Sequence, residues 1–200
     1  AEIDATLRDP ALGFLAKARG ARMDDPAYAE ALIAELQDDL DRAIALASKA
    51  AAAAPWLYEA RTLLGRAHRR RGLERMESGR DADALADLDA AEAAYRSAVD
   101  VARSDPRARE GLCSVFRDRI DAAQIRRRPV ATEFEKAAEW CESAVAADPE
   151  NALSLLRASD VEWQWGLELA AAGKDPRPRF RRAVELAERT IPSRFDVAYA

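Results

Sequence analysis

The chain reads as an all-α protein, a right-handed α-solenoid of antiparallel helix pairs with unusually long helices. Three observations predict this. Ala, Leu, Glu and Arg dominate the 200 residues and β-branched residues are sparse, so propensity points to helix nearly everywhere. Three stretches end a helical run alike, with a small residue, an apolar partner and a proline stop: Ser48 to Pro55, Tyr95 through Asp105-Pro106, and Cys141 to Pro149. Their spacing of roughly forty to fifty residues is that of an array of helical hairpins. Finally, no stretch alternates with period two for long enough to make a strand. An ordinary helical bundle is the structural alternative, and the recurring proline stops favour the array.

Each element follows from its local signals. Asp9-Pro10 opens a short helix, with Asp9 as cap and Pro10 in the first position, running from Ala11 to about Ala18 and stopping near Gly20. Asp25-Pro26 opens another, to about Gln37, where Asp38-Asp39 interrupts, and a third runs on to Ala53 before Pro55. From Trp56 the pattern is helical to about Glu77, where Ser78-Gly79 breaks it, and Asp81 starts a helix lasting to about Arg103. After Asp105-Pro106 a helix covers about Arg107 to Gln124, and after Arg126-Arg127-Arg128-Pro129 another covers Thr132 to Ala147. Asp148-Pro149 introduces a helix to about Ala172, and the break from Gly173 to Pro178 precedes a last one, Arg179 to Thr190. The expected organisation is a capping segment over 1–23 and four hairpins over 24–57, 58–106, 107–151 and 152–192. Residues 193–200 then begin a further, truncated helix. A chain that opens Ala1-Glu2-Ile3-Asp4 and ends on the first turns of an element is expected to be a piece of a longer protein.

The residues inside the pairs carry a resemblance. Counted forward from Pro55, Leu64-Gly65 is followed by His68 at an aromatic position, and Ala91, Tyr95 and Ala98 recur at spacings of four and three. Ala137, Cys141 and Ala144 repeat that spacing, as do Ala43, Ala47 and Ala50. This resembles the tetratricopeptide repeat (TPR) family, whose two-helix unit uses small residues to let the helix axes approach. Gly65 and Ala91 stand about fourteen residues farther apart than in that pattern, roughly two added turns per helix, so the antiparallel partners stay matched. Gly72 then lies inside a helix at a cost of about 1 kcal/mol. The wording of Pro55-Trp56-Leu57-Tyr58-Glu59-Ala60, Ala94-Tyr95-Arg96, Ala102 to Pro106 and Ala146 to Pro149 further resembles the C-terminal repeat regions of bacterial serine/threonine protein kinases. That resemblance implies a regulatory or scaffolding segment of a signalling kinase. The kinase signatures themselves, a Gly-rich loop, His-Arg-Asp and Asp-Phe-Gly, do not occur here.

Catalytic chemistry finds no footing. His68 is the single histidine and reads as a packing residue in the aromatic's place; alone it makes no zinc site. Cys113 and Cys141 make no disulfide framework and read as two small buried hydrophobes on the two helices of one hairpin. No phosphate loop or nucleophile elbow appears, so the segment is expected to be no enzyme and to need no cofactor or metal. A net charge of -5 and a pI near 5.2 argue against a general nucleic-acid binder. The triplets Arg69-Arg70-Arg71 and Arg126-Arg127-Arg128 fan out around a helix instead of forming a stripe, and read as solvated faces. No apolar run approaches the eighteen or so residues of a membrane span, and no secretory signal opens the chain, so the expected setting is cytoplasmic.

What remains is a non-catalytic protein-interaction module, with a small-molecule sensor or a homo-oligomerisation unit as the alternatives. In the TPR family the first helix of each pair lines the groove. Carrying that pattern over gives Thr62, Arg66 and Arg69; then Glu110, Cys113, Arg117 and Ile120; then Leu153, Leu156, Asp160 and Trp163. The candidate peptide groove is Thr62, Arg66, Arg69, Arg117, Asp160 and Trp163, and its arginines imply an acidic partner segment. Trp163 and Trp165 project to nearly opposite sides of one helix, so one packs inward while the other packs on a neighbouring pair or serves as a groove anchor. The TPR subtype that clamps a carboxylate with two asparagines is excluded, because Asn151 is the only Asn in the chain.

Overall fold

The computed structural model describes residues 26–190, and among these it contains eight helices and no strand. They are α1 (Pro26–Leu36), α2 (Leu40–Ala53), α3 (Tyr58–Glu77), α4 (Asp81–Val101), α5 (Pro106–Ile125), α6 (Ala131–Ala147), α7 (Ala152–Ala171) and α8 (Arg177–Glu188). The all-helical class is thus the one the sequence predicts. The expected helix after Asp9 and the further turn over 193–200 lie outside the described residues.

The helix boundaries have local causes. Asp39 caps α2 by accepting from the Arg42 amide at 3.2 Å, Asp105 caps α5 through the Arg107 amide at 2.8 Å with Pro106 in the first turn, and Asn151 caps α7 by accepting from the Leu153 and Ser154 amides. Gly79 and Gly173 take φ of 72° and 70° at the ends of α3 and α7, a left-handed conformation that other residues adopt at a penalty. Within each of the two units described below, short connections bring consecutive helices side by side and antiparallel.

The described residues divide into two compact units, on either side of the junction between Ala102 and Arg103. In the first, α1 packs on α2, α2 on α3, and α3 on α4. The core between α1, α2 and α3 is built from small residues: Ala31 and Ala47 meet Leu63, while Ala34 and Ala43 meet Ala67. Ala43, Ala47, Ala50, Ala91 and Ala98 are all fully buried, as the repeat register requires. Along the α3–α4 seam the backbones nearly touch. A Cβ added at Gly65 would lie 2.9 Å from the Tyr95 ring, and one at Gly72 would lie 3.2 Å from the Ala84 carbonyl oxygen. Gly72 sits within a 20-residue helix where α4 packs so close that a side chain would have to push its backbone away. α4 has 21 residues, so both helices of the pair are long together.

The second unit packs α5 on α6, α6 on α7 and α7 on α8. Its core joins Phe116 and Ile120 of α5, Phe134, Ala137 and Val145 of α6, Leu155, Ala158 and Val161 of α7, and Leu186 of α8. Trp165 stacks on Phe134 with ring centroids 5.9 Å apart, so it is the inward-facing tryptophan of the pair on α7. One expectation is overturned here. Cys113 and Cys141 are buried as expected, but they are joined as a disulfide, with Cα atoms 4.8 Å apart, and no free cysteine remains.

The Gly65–Tyr95 contact gives a direct test of the repeat register. Gly65→Ala should destabilise the first unit by about 1–3 kcal/mol in chemical denaturation, although alanine is the better helix former by about 1 kcal/mol. Shortening Tyr95 in the same chain should recover most of the loss. A Gly65→Ala protein more stable than the parent would show that α3 and α4 do not meet there.

Candidate functional site

α7 is seated by one face and leaves the other open. Ser154, Leu155, Ala158, Val161, Glu162 and Gly166 are buried. On the opposite side Leu153, Leu156, Trp163 and Leu167 follow one another at helical spacing, each between 48% and 55% exposed, and Val184 of α8 adds a fifth large apolar side chain at 51%. Two adjoining cavities run along this row. One of about 260 Å³ is lined by Leu156, Ser159, Asp160, Trp163, Ala183, Val184 and Ala187. The other, about 450 Å³, is lined by Arg117, Leu153, Leu156, Arg157 and Asp160, so Leu156 and Asp160 belong to both.

Trp163 is held by what lies beneath it. Its ring rests 4.8 Å from that of Phe180, and Phe180 reaches this position over Gly166, where a Cβ would come within 2.4 Å of the Phe180 ring. Next to it, Arg179 lies 3.3 Å over the Trp165 ring and donates to both carboxylate oxygens of Glu162 at 3.2 Å. Burial pushes the Glu162 carboxyl above the usual range, against the opposing pull of Arg179.

The charges lining the row are matched. Arg117 pairs with Asp160 at 3.5 Å, and Arg157 stands 3.9 Å from Glu110, whose other oxygen accepts from the Ser154 hydroxyl. The arrangement is an apolar strip with its ions closed on one another.

The sequence-derived site residues fare unequally. Arg117, Asp160 and Trp163 come together on the cavities of the second unit, with Leu153 and Leu156 beside them. Glu110, Cys113 and Ile120 do not: all three are buried, because α5 is packed around nearly its whole circumference from Ala108 to Ile120. The TPR register carried onto α5 is therefore corrected. In the first unit Thr62 and Arg69 share α3, where Thr62 donates to the Tyr58 carbonyl at 3.0 Å within the helix. Arg66 holds the buried Glu35 carboxylate through both Nε and Nη2. Leu167, Val184 and Arg157 were absent from the sequence-derived groove. Leu167 continues the α7 spacing one turn past Trp163 and was within reach of the pattern; Val184 and Arg157 depend on how the helices pack.

His68 also differs from its expected packing role. Its Nδ1 lies 3.0 Å from Oδ1 of Asp87, a carboxylate only 3% exposed that also receives Arg71 at 2.6 Å and Arg75 at 2.8 Å. Arg70 and Arg71 further pair with Asp38 and Asp41, so two members of that arginine triplet are committed to carboxylates. Among the described residues no cluster of His, Cys, Asp and Glu is arranged to hold a metal ion, and no helix is long and apolar enough to cross a membrane.

No protein-family model matches the chain, and no curated protein matches it either. Solved structures do. A double mutant of MamA from RS-1, a TPR-like helical protein, superposes with a TM-score of 0.62 at 17% identity, covering 96% of this chain and 88% of that one. A crystal structure of MamA gives 0.57 at 16% identity over 96% and 92%, and MamA MSR-1 C2 gives 0.55 at 16% identity over 95% and 99%. At these identities the likeness is one of fold: TPR-type helix pairs.

The Asp87 cluster makes the first unit acid-sensitive. Burial alone would raise the Asp87 carboxyl, but hydrogen bonds from Arg71 and His68 and the charge of Arg75 outweigh it and hold the carboxyl below its usual range. A depressed folded-state value gives stability that is present above the unfolded carboxyl's value near 3.9 and is lost as pH falls through the folded one. Asp87→Ala should cost about 1–3 kcal/mol at neutral pH, since it removes the buried acceptor shared by His68, Arg71 and Arg75, while Arg71 keeps its pair with Asp41. It should also flatten the loss of stability in acid, measured by denaturation at a series of pH values. An unchanged acid limb in the variant would assign the acid sensitivity to other groups.

Proposed function

We propose that this chain is a non-catalytic protein–protein interaction module of TPR type, whose second unit grips its partner through the open face of α7. The observation that carries the reading is the apolar row Leu153, Leu156, Trp163, Leu167 and Val184 over two adjoining cavities. Large apolar side chains at helical spacing, left outside the core of the described residues, are what a binding face presents. Trp163 fits the role of anchor: it is aromatic, half exposed and backed by Phe180, so little rotamer freedom is lost when a partner covers it.

The favoured partner is a segment with an apolar face. Arg66 and Arg117 would recruit acidic groups if they were free, yet each already has a carboxylate, Glu35 and Asp160 respectively. A partner carboxylate must then compete with an internal one for little gain, since partly exposed pairs are worth about 0–1 kcal/mol. The finer assignment, a regulatory or scaffolding region of a bacterial serine/threonine kinase, rests on the sequence resemblance alone. The reading frame that encodes this chain tests it: a Gly-rich loop, His-Arg-Asp and Asp-Phe-Gly upstream would support it, and their absence would remove it.

Binding is tested with a random peptide library panned against the folded chain. Enriched peptides should carry apolar residues at helical or alternating spacing and little acidic bias. Leu156→Glu combined with Trp163→Ala, both at exposed positions, should weaken them by about tenfold or more while the melting temperature stays close to that of the parent. Peptides that bind the double variant as tightly as the parent would move the site off α7.

A further inference from the structure

We propose that Cys113 and Cys141 are an oxidative modification site, cross-linked as the second unit folds, and that the chain does its work in a compartment where disulfides persist. The proposal goes beyond the binding face and stands whether or not α7 takes a peptide.

Several observations carry it. Cys113 is in the middle of α5 and Cys141 is in α6, and their Cα atoms are 4.8 Å apart, inside the range of about 4.4–6.8 Å that a disulfide requires. A Cα lies about 2.3 Å from its helix axis, so this separation corresponds to axes about 9 Å apart, the ordinary spacing of packed helices, with the two cysteines facing each other across the seam. Ala137 and Ala144, one turn on either side of Cys141, are both buried beside it. The chain has only these two cysteines, so no other intramolecular pairing competes. Both are 1% exposed and belong to the cluster that contains Phe116, Phe134 and Leu155. Leu155 comes from α7, so the sulfurs lie in the same core that seats the helix bearing the apolar row.

Burial decides the timing. The oxidant is an external disulfide, a small-molecule disulfide or that of a thiol oxidoreductase. One cysteine thiolate attacks it, forming a mixed disulfide and releasing one thiol. The second cysteine, as thiolate, then attacks the chain's own sulfur and expels the other thiol. The chain loses two protons and two electrons, and the oxidant leaves as two thiols. With both cysteines 1% exposed in the folded unit, no external disulfide reaches the sulfurs, so the bond forms before the core is complete. Afterwards a reductant reaches it only when the unit opens. A cytosolic thiol pool keeps newly made cysteines reduced during that window, whereas an oxidising compartment does not. The proposal therefore favours an oxidising compartment over the cytoplasmic setting expected from the sequence.

The test is mass spectrometry on the chain taken from the cells that make it, denatured in excess alkylating agent without reductant. The expected result is an unalkylated protein, lighter than the reduced form by two hydrogens, that gains two alkyl groups only after reduction. A protein alkylated at both cysteines without reduction overturns the proposal. A second measurement addresses the structural role. The oxidised parent should melt above Cys113→Ala/Cys141→Ala by on the order of 10 °C, and reductant should lower only the parent. If reduction under denaturing conditions followed by refolding in reductant leaves the parent's melting temperature unchanged, the cross-link is not part of the folded unit's design.

Discussion

The closeness with which two helices can approach governs this protein. Alanine and glycine at the contact positions bring the axes together, and larger groups then fill the seams on either side. Gly65 receives the Tyr95 ring, Gly166 receives Phe180, and Cys141, flanked by the buried Ala137 and Ala144, faces Cys113. The remaining features depend on that proximity. Small contact residues bury little apolar area each, so the pairs must be long to accumulate enough, and α3 and α4 run to 20 and 21 residues. The same narrow seams leave few places for large apolar side chains inside, and some of the remainder stand outside on α7.

Arginine is the second organising element, and it works mostly within the fold. Glu35 and Asp87, both buried, would be costly without partners, and Arg66, Arg71 and Arg75 supply them from α3. A helix that presents guanidinium groups to carboxylates on α1 and α4 fixes the rotation of those helices about their axes. Small apolar contacts alone do not, because alanine faces are nearly interchangeable. This division of labour leaves the outer row on α7 with balanced charge, and apolar contact is then what distinguishes it from the rest of the surface.

Much of the fold was legible in the sequence because its signals are local. Asp-Pro pairs and glycines mark the helix ends, and the observed helices begin and end within a few residues of the marked positions. The contact register was legible wherever a small residue stands among larger ones, as at Gly65, Ala91 and Ala98. It failed on α5, where Gly111, Leu112, Ser114 and Val115 are buried together with Glu110, Cys113 and Ile120. A helix packed on nearly every side has no single face for a period to reveal. Non-local facts were beyond reach for a different reason. Two cysteines 28 residues apart look the same whether or not their helices bring them together, and nothing in the sequence near Arg66 points to Glu35. On α7 the residues that the repeat pattern carries over, Leu153, Leu156, Asp160 and Trp163, do share one face and line the cavities, because a helix seated by a single face keeps the spacing of three and four.

The placement of the four tryptophans has an optical consequence. Trp56 is the only one in the first unit and is 67% exposed in the turn before α3, whereas Trp140, Trp163 and Trp165 all belong to the second. An indole already in water changes its emission little when the chain around it unravels, while Trp165, partly buried against Phe134 and Arg179, passes from a packed, cation-capped setting into solvent. Intrinsic fluorescence therefore reports almost entirely on the second unit, and circular dichroism reports on both. Where the two signals part during unfolding, the difference between them is the behaviour of the first unit, with no label attached.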